Sequence, residues 1–266
     1  MNILSINILV ALFCLIVGYI FGSIPTGVWV GKIFFHQDPR DYGSHNSGGT
    51  NAGRLWGKKF GLLVIILDIL KTVLPLYAMW AVLTFANFDY AGITDAGFTS
   101  GYHPLEANVI DFYTPANSMY AIQWPIYWLL PIGAMIGHCW PMFAKFKGGK
   151  AASMFMGTTL CSSWMLGFLP GFFYLGTLKW KKMVSFSAIA QAIFVSTITW
   201  IWAILIMIPD FIPNDLKWLP MYGPGLNPNW VYATVVTILG AVMVARHHEN
   251  IKRILAGEER KITWMK

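Results

Sequence analysis

Ser44, Asn46, Ser47, Thr50, Asn51 and Arg54 interleave with Gly43, Gly48, Gly49 and Gly53 in one run, GSHNSGGTNAGR. Glycines let a backbone turn sharply and approach a ligand, so successive N–H groups can converge on an anion. The hydroxyls and amides add neutral donors, and a guanidinium adds a planar fork matched to phosphate oxygens. The same residues also suit a plain surface turn with no ligand. A second run, HCWPMFAKFKGGKAAS from His138 to Ser153, carries Lys147-Gly148-Gly149-Lys150 just before Ala151, where a helix can begin. A glycine pair feeding a helix start offers unpaired N–H groups and the positive end of a dipole, to which Lys150 adds a point charge. It is no Walker loop, because Ala144 and Ala151 stand where GxxxxGK[ST] needs glycine and a hydroxyl. The third run, RHHENIKRILAGEE from Arg246 to Glu259, sets His247 and Asn250 three apart on one helical face. An imidazole there can serve as base or as phosphate donor near neutral pH. A basic helix lying on lipid headgroups explains the cations of this run and leaves the asparagine without a task.

The elements that must position these runs are apolar. The 266 residues are 56% hydrophobic and 12% charged, about half the charged share of a soluble domain. Residues 1–31 contain no charged side chain, a stretch longer than the ~20 apolar residues that cross a bilayer. Its first lysine, Lys32, follows the apolar run instead of preceding it, which predicts a retained first span and not a cleaved leader. Further apolar runs lie at about 61–86, 123–137, 151–178, 184–208 and 230–245. The net charge of +7 gathers at the ends of these runs, which points to membrane topology and away from nucleic acid.

Charge also decides how to divide the run at 151–178, which Ser162-Ser163 and Leu169-Pro170-Gly171 interrupt. Two short helices joined near 163–167 put Lys179, Lys181 and Lys182 on the same side as all three polar runs, whereas one long helix strands the runs on opposite faces. The sequence therefore predicts an all-α integral membrane protein of seven transmembrane helices, forming one domain over 1–266. The N-terminus is outside and the C-terminal tail, about 246–266, is cytoplasmic. Loops at about 87–122 and 209–229 are external, and neither carries an acid–base set or a metal signature. Cys14, Cys139 and Cys161 lie in or beside apolar segments without metal-binding spacing. Asp68 and Lys71, three apart in the second span, can neutralise each other within the bundle and read as structural or site-supporting.

Three glycine-rich or basic runs on one membrane face imply a phosphorylated ligand with a greasy component. In order, Gly22-Ser23-Ile24-Pro25-Thr26-Gly27 with Asp38-Pro39-Arg40 and Gly43–Arg54, then His138–Lys150, then His247–Glu259 resemble the blocks of the bacterial acyl-phosphate:glycerol-3-phosphate acyltransferase family, a seven-span membrane enzyme. The resemblance implies that Ser44, Thr50, Asn51 and Arg54 bind phosphate or glycerol phosphate, and that Gly148 and Lys150 complete the phosphate pocket. It adds Ser185 as a further site residue and places His247 and Asn250 at the reacting hydroxyl. His45 and Gly49 stand where the family usually has glycine and alanine, and the external loops are longer than the family's short connections.

The implied reaction transfers an acyl group from acyl phosphate to the 1-hydroxyl of glycerol-3-phosphate, giving lysophosphatidic acid and phosphate, the first acylation of phospholipid synthesis. An acyl phosphate is already activated, so neither a covalent nucleophile, a metal nor a cofactor is expected. Cations and glycine N–H groups offset repulsion between two anionic headgroups. Either His247 or a substrate phosphate takes the hydroxyl proton. The expected partners are the two substrates and membrane lipid, with no nucleic acid and no obligate protein, in the bacterial plasma membrane with the site facing the cytoplasm. His36 and Asp41 form the HxxxxD pair of a different acyltransferase class, without that class's phosphate-binding blocks. The rival readings are a transporter or channel for a phosphorylated solute, disfavoured because the polar runs share one face, and a lipid-binding scaffold, which leaves Ser44, Thr50, Lys150 and His247 idle.

Overall fold

A computed structural model describes residues 3–85, 126–162, 164–208 and 230–262 of the chain, and regular structure in these parts is helical. The loops expected at about 87–122 and 209–229 lie outside the described residues. The first apolar run divides into α1 (Ile3–Gly22) and α2 (Thr26–Phe35). The division falls at Ser23-Ile24-Pro25, because proline has no N–H to continue the ladder and disfavours helical backbone just before it. After the polar loop come α3 (Gly49–Trp56) and the long α4 (Lys58–Phe85). A short α5 (Leu129–Cys139) leads to the second polar run. The remaining helices are α6 (Ala152–Ser162), α7 (Trp164–Lys181), α8 (Val184–Met207), α9 (Trp230–Arg246) and α10 (His248–Leu255).

The run at 151–178 does reverse. A methyl placed on Gly167 would lie 3.3 Å from the Leu160 Cα, whereas seven residues of continuous helix span about 10 Å. The chain therefore turns between α6 and α7. Pro170 sits within α7 and makes no turn of its own.

Helices α1 and α5 pack in parallel at backbone contact. Methyls on Gly18 and Gly22 would meet the Leu130 and Ala134 carbonyls at 2.2 and 2.0 Å, and methyls on Gly133 and Gly137 would meet those of Leu15 and Tyr19 at 2.2 Å each. The partners advance together along both helices, as two helices joined by small residues do in a bilayer. Around this pair, side chains from α4, α6, α8 and α9 complete one apolar core that includes Leu76, Phe155, Val195 and Val236. The outer surface is apolar too. Phe13 is 56% and Phe172 68% exposed, as expected of side chains that face lipid and not water. Among the described residues, three helical stretches are long and apolar enough to cross a membrane (8–35, 58–79 and 184–205), and the bent α9–α10 pair adds a fourth.

Candidate functional site

The polar loop after α2 is organised around one side chain. Asn51, in the first turn of α3, donates from Nδ2 to the carbonyls of Pro39, Asn46 and Tyr42 at 2.7, 3.0 and 3.1 Å, and its Oδ1 accepts the Ser44 N–H at 2.9 Å. Gly43 turns at φ +63°, where a side chain is strained, and a methyl there would also strike the Asn51 Oδ1. His45 takes a left-handed turn at φ 55°, a conformation that suits glycine at this position and is reached here with the ring nitrogen Nδ1 against the Arg40 carbonyl at 3.0 Å.

Arg40 joins this loop to the second polar run. Asp38 holds its guanidinium through Nε and Nη2 at 2.9 and 2.7 Å. Its Nη1 donates to the carbonyls of Ala144 and Lys147 at 2.8 and 3.1 Å. In that second run the Gly149 N–H bonds back to the His138 carbonyl at 3.0 Å. A methyl on Gly148 would stand 2.0 Å from the same carbonyl, so only glycine lets the chain approach this closely. The segment ends with Lys150 just ahead of α6.

The third run bends. Helices α9 and α10 meet at 61°, and His247 occupies the junction instead of continuing one helix. Its Nδ1 lies 2.8 Å from the Met243 carbonyl. A carbonyl only accepts, so the ring carries its proton on Nδ1 and presents the Nε2 lone pair. Asn250, one turn on, accepts from the Lys150 ammonium at 2.5 Å and donates to Glu259 at 2.8 Å. The Glu259 carboxylate also accepts from the Ser185 hydroxyl at 2.5 Å and from Arg253 Nε at 2.9 Å. The tail is held against the start of α8 by the Ile262 N–H to the Lys182 carbonyl at 2.7 Å.

These parts surround a cavity of about 200 Å³. Ser44, Thr50, Asn51 and Arg54 line it from the first run, Lys150 from the second, Ser185 from α8, and His247, Asn250 and Glu259 from the third. Ile65, Met156, Tyr174, Ala188 and Gln191 continue its wall between α4, α6, α7 and α8. The mouth is electropositive. Burial lowers the Lys150 pKa, and Arg253, Arg246 and Arg54 add to that while Glu259 opposes it. Burial and then Arg260 lower that of Arg54. Burial pushes His247 down to about 4; the Met243 bond opposes this, and the Lys150 charge adds to it. A second anion entering this cradle relieves cation repulsion, which gives phosphate groups a direct electrostatic advantage.

Of the nine residues that the resemblance implies for the site, all but Gly148 line this one cavity. That residue lines a separate small void with Ser47, Lys71 and His138. Asn51 reaches the cavity wall, but its amide is committed to the loop it organises. His36 and Asp41 are exposed and lie outside the lining. Sequence reasoning missed Glu259, the centre of the Ser185–Asn250–Arg253 bonding set; the local signal was an acidic pair after Gly257 in a basic tail. It also missed Arg40 as the strap between two loops and His138 as part of the wall. Among the described residues no group of His, Cys, Asp and Glu side chains is arranged to hold a metal ion.

The family profile for glycerol-3-phosphate acyltransferase matches residues 12–257. The glycerol-3-phosphate acyltransferase of Enterococcus faecalis is 30% identical over 251 residues, covering 94% of this chain and 91% of that protein. Two crystal structures of PlsY (YgiH), an integral membrane glycerol 3-phosphate acyltransferase, share the fold at 25% identity. The glycerol 3-phosphate form aligns with TM-score 0.65 over 95% of this chain and 96% of the other. The lysophosphatidic acid form aligns with TM-score 0.63 over 95% of each.

Proposed function

The chain belongs to the glycerol-3-phosphate acyltransferase family of integral membrane enzymes, and on that premise we propose how this protein's own residues carry out the transfer. It acylates glycerol-3-phosphate in phospholipid synthesis, with acyl phosphate as donor. The observation that carries the reading is the convergence of three separate polar runs on one cation-rich cavity that also presents an unprotonated imidazole nitrogen.

Lys150 and Arg54 hold the two phosphate groups, with Ser44 and Thr50 as neutral donors, while Ser185 donates from its hydroxyl to Glu259 and holds that carboxylate in the wall. Asn51 keeps the Gly43–Arg54 loop in shape, and Gly148 and Gly149 let the Lys150 segment close against His138. Asn250 fixes the Lys150 ammonium. Holding both headgroups in one small cavity converts a bimolecular encounter into an oriented one, worth several kcal/mol of barrier. The glycerol 1-hydroxyl attacks the acyl carbon as His247 Nε2 accepts its proton. The C–O bond to phosphate breaks, and inorganic phosphate leaves against Lys150 and Arg54. Bound dianions raise the basicity of His247 from its low value in the free protein, so the base strengthens only when substrate is present.

The chain crosses the membrane seven times, by α1 with α2, α4, α5, α6, α7, α8 and α9, with the N-terminus outside and the site facing the cytoplasm. The one-sided distribution of lysine and arginine supports this, as does the parallel packing of α1 on α5, which requires both to cross in the same sense. Purified protein in vesicles should convert acyl phosphate and glycerol-3-phosphate to lysophosphatidic acid. Acyl-CoA serving equally well as donor would overturn the donor assignment. Uptake of a phosphorylated solute without conversion would favour a transporter instead.

A further inference from the structure

At the inner wall of the cavity, where Asp68 and His138 line it, lies a buried polar cluster to which the transfer above assigns no chemical role. Lys71 and Asp68 on α4, His138 in the last turn of α5 and Thr26 at the start of α2 are each at least nine-tenths buried. The Lys71 ammonium lies 2.9 Å from the Asp68 carboxylate. It donates to the Ile24 carbonyl at 2.8 Å and the Gly22 carbonyl at 3.2 Å, so it satisfies the backbone left open by the α1–α2 break. Thr26 closes the other side by donating to Asp68 at 2.5 Å. The ammonium is also 3.2 Å from His138 Nδ1. Asp68 is 3.6 Å from that nitrogen, too far for a hydrogen bond. Nδ1 therefore accepts from Lys71, and the ring proton resides on Nε2.

The ring's other nitrogen, Nε2, faces the second polar run. A methyl on Gly149 would stand 2.1 Å from Nε2, and the Gly149 N–H bonds to the His138 carbonyl. Backbone and ring of one residue thus seat the peptide that precedes Lys150. A pair buried in a bundle could instead have been apolar at no loss of packing, and a pair that only balanced its own charge would not need the histidine.

We propose that His138 is a positioning residue: Lys71 and Asp68 fix its ring, and the ring with its carbonyl sets Gly149 and hence the place of the Lys150 ammonium in the cavity. This rests on Lys150 binding substrate phosphate. The prediction separates positioning from mere support, because a protein that has lost structure loses active molecules and so kcat, while a misplaced cation weakens substrate binding and raises KM.

The test measures phosphate release by full-length protein in detergent with acyl phosphate and glycerol-3-phosphate, for wild type, His138→Asn, His138→Gln and Lys150→Met. Asparagine keeps an acceptor near the Nδ1 position and loses the reach to Gly149; glutamine keeps the reach. His138→Asn should raise KM for at least one phosphorylated substrate about tenfold with kcat within about threefold, the size expected of a group displaced by a fraction of an ångström. His138→Gln should fall between it and wild type, and carries the same measurement if the asparagine variant does not fold. Unchanged KM in the histidine variants, whether or not kcat falls, beside an active wild type and an impaired Lys150→Met, overturns the positioning role alone. Lys150→Met with wild-type kinetics overturns the cradle on which it rests, and a wild type that releases no phosphate overturns the functional reading itself.

Discussion

Replacing His247 with phenylalanine removes the Nε2 lone pair while filling the same buried space. In the free protein the imidazole is held by the Met243 carbonyl, and its pKa is pushed down to about 4. At pH 7 only about one ring in a thousand then carries a second proton, whereas an ordinary histidine would be about a quarter protonated. The lone pair is thus available throughout the neutral range, and its loss should lower kcat by the ~10²- to 10⁴-fold that a positioned base contributes. Lys150 and Arg54 remain, so KM for both substrates should stay within about threefold. The lost Met243 bond should cost about 1 kcal/mol, visible as a small fall in Tm. Phosphate release measured from about pH 5.5 to about 8.5 reports both quantities, and kcat/KM reads the free enzyme. An inflection near pH 6 that comes from a substrate phosphate, whose second pKa is about 6, should persist in the variant. A variant with kcat within about threefold of wild type would refute the role given to His247. So would an inflection in wild-type kcat/KM between about pH 6 and 7 that the variant lacks.

Three further outcomes follow from the packing and the charges. Gly22→Ala drives a methyl to 2.0 Å from the Ala134 carbonyl and should destabilise the α1–α5 pair by about 1–3 kcal/mol or more, read as a lower Tm in detergent. Gly149→Ala drives a methyl into the His138 ring at 2.1 Å and should raise KM about tenfold or more by moving Lys150, as measured by phosphate release. For Glu259, burial alone would raise the carboxyl pKa, but the bonds from Ser185, Asn250 and Arg253 outweigh it and hold it below the ordinary value. Its stabilising contribution is therefore present above the unfolded pKa of about 4.3 and lost as pH falls through the lower folded value. Wild-type Tm should drop more steeply than that of Glu259→Gln on acidification from about pH 5 to about 3.

The helices were legible in the sequence because long apolar runs have few other solutions in a bilayer. The reversal between α6 and α7 was legible for a different reason, since lysines 179, 181 and 182 had to rejoin the other cations. The α1–α2 break was hidden inside one uninterrupted apolar run, although Pro25 marks it, because hydropathy does not sense a missing N–H. Asn51 and Gly148 were recognised as residues of the site, but residue type does not say whether a side chain faces ligand or its own loop. His138 and Lys71 are 67 residues apart, and no local pattern encodes that meeting. Glu259 was missed for the same reason. Its partners Ser185 and Asn250 come from two different helices, and the third, Arg253, reads locally as a surface cation.

Direct transfer between two headgroups held in one cradle passes through no acylated protein, and single-turnover phosphate release from acyl phosphate distinguishes it from a covalent route. With glycerol-3-phosphate present, one phosphate should be released for each lysophosphatidic acid formed, and without it there should be no burst and no acylated protein. A stoichiometric burst of phosphate in the absence of glycerol-3-phosphate would mean that the protein itself takes the acyl group, and would rule out direct transfer.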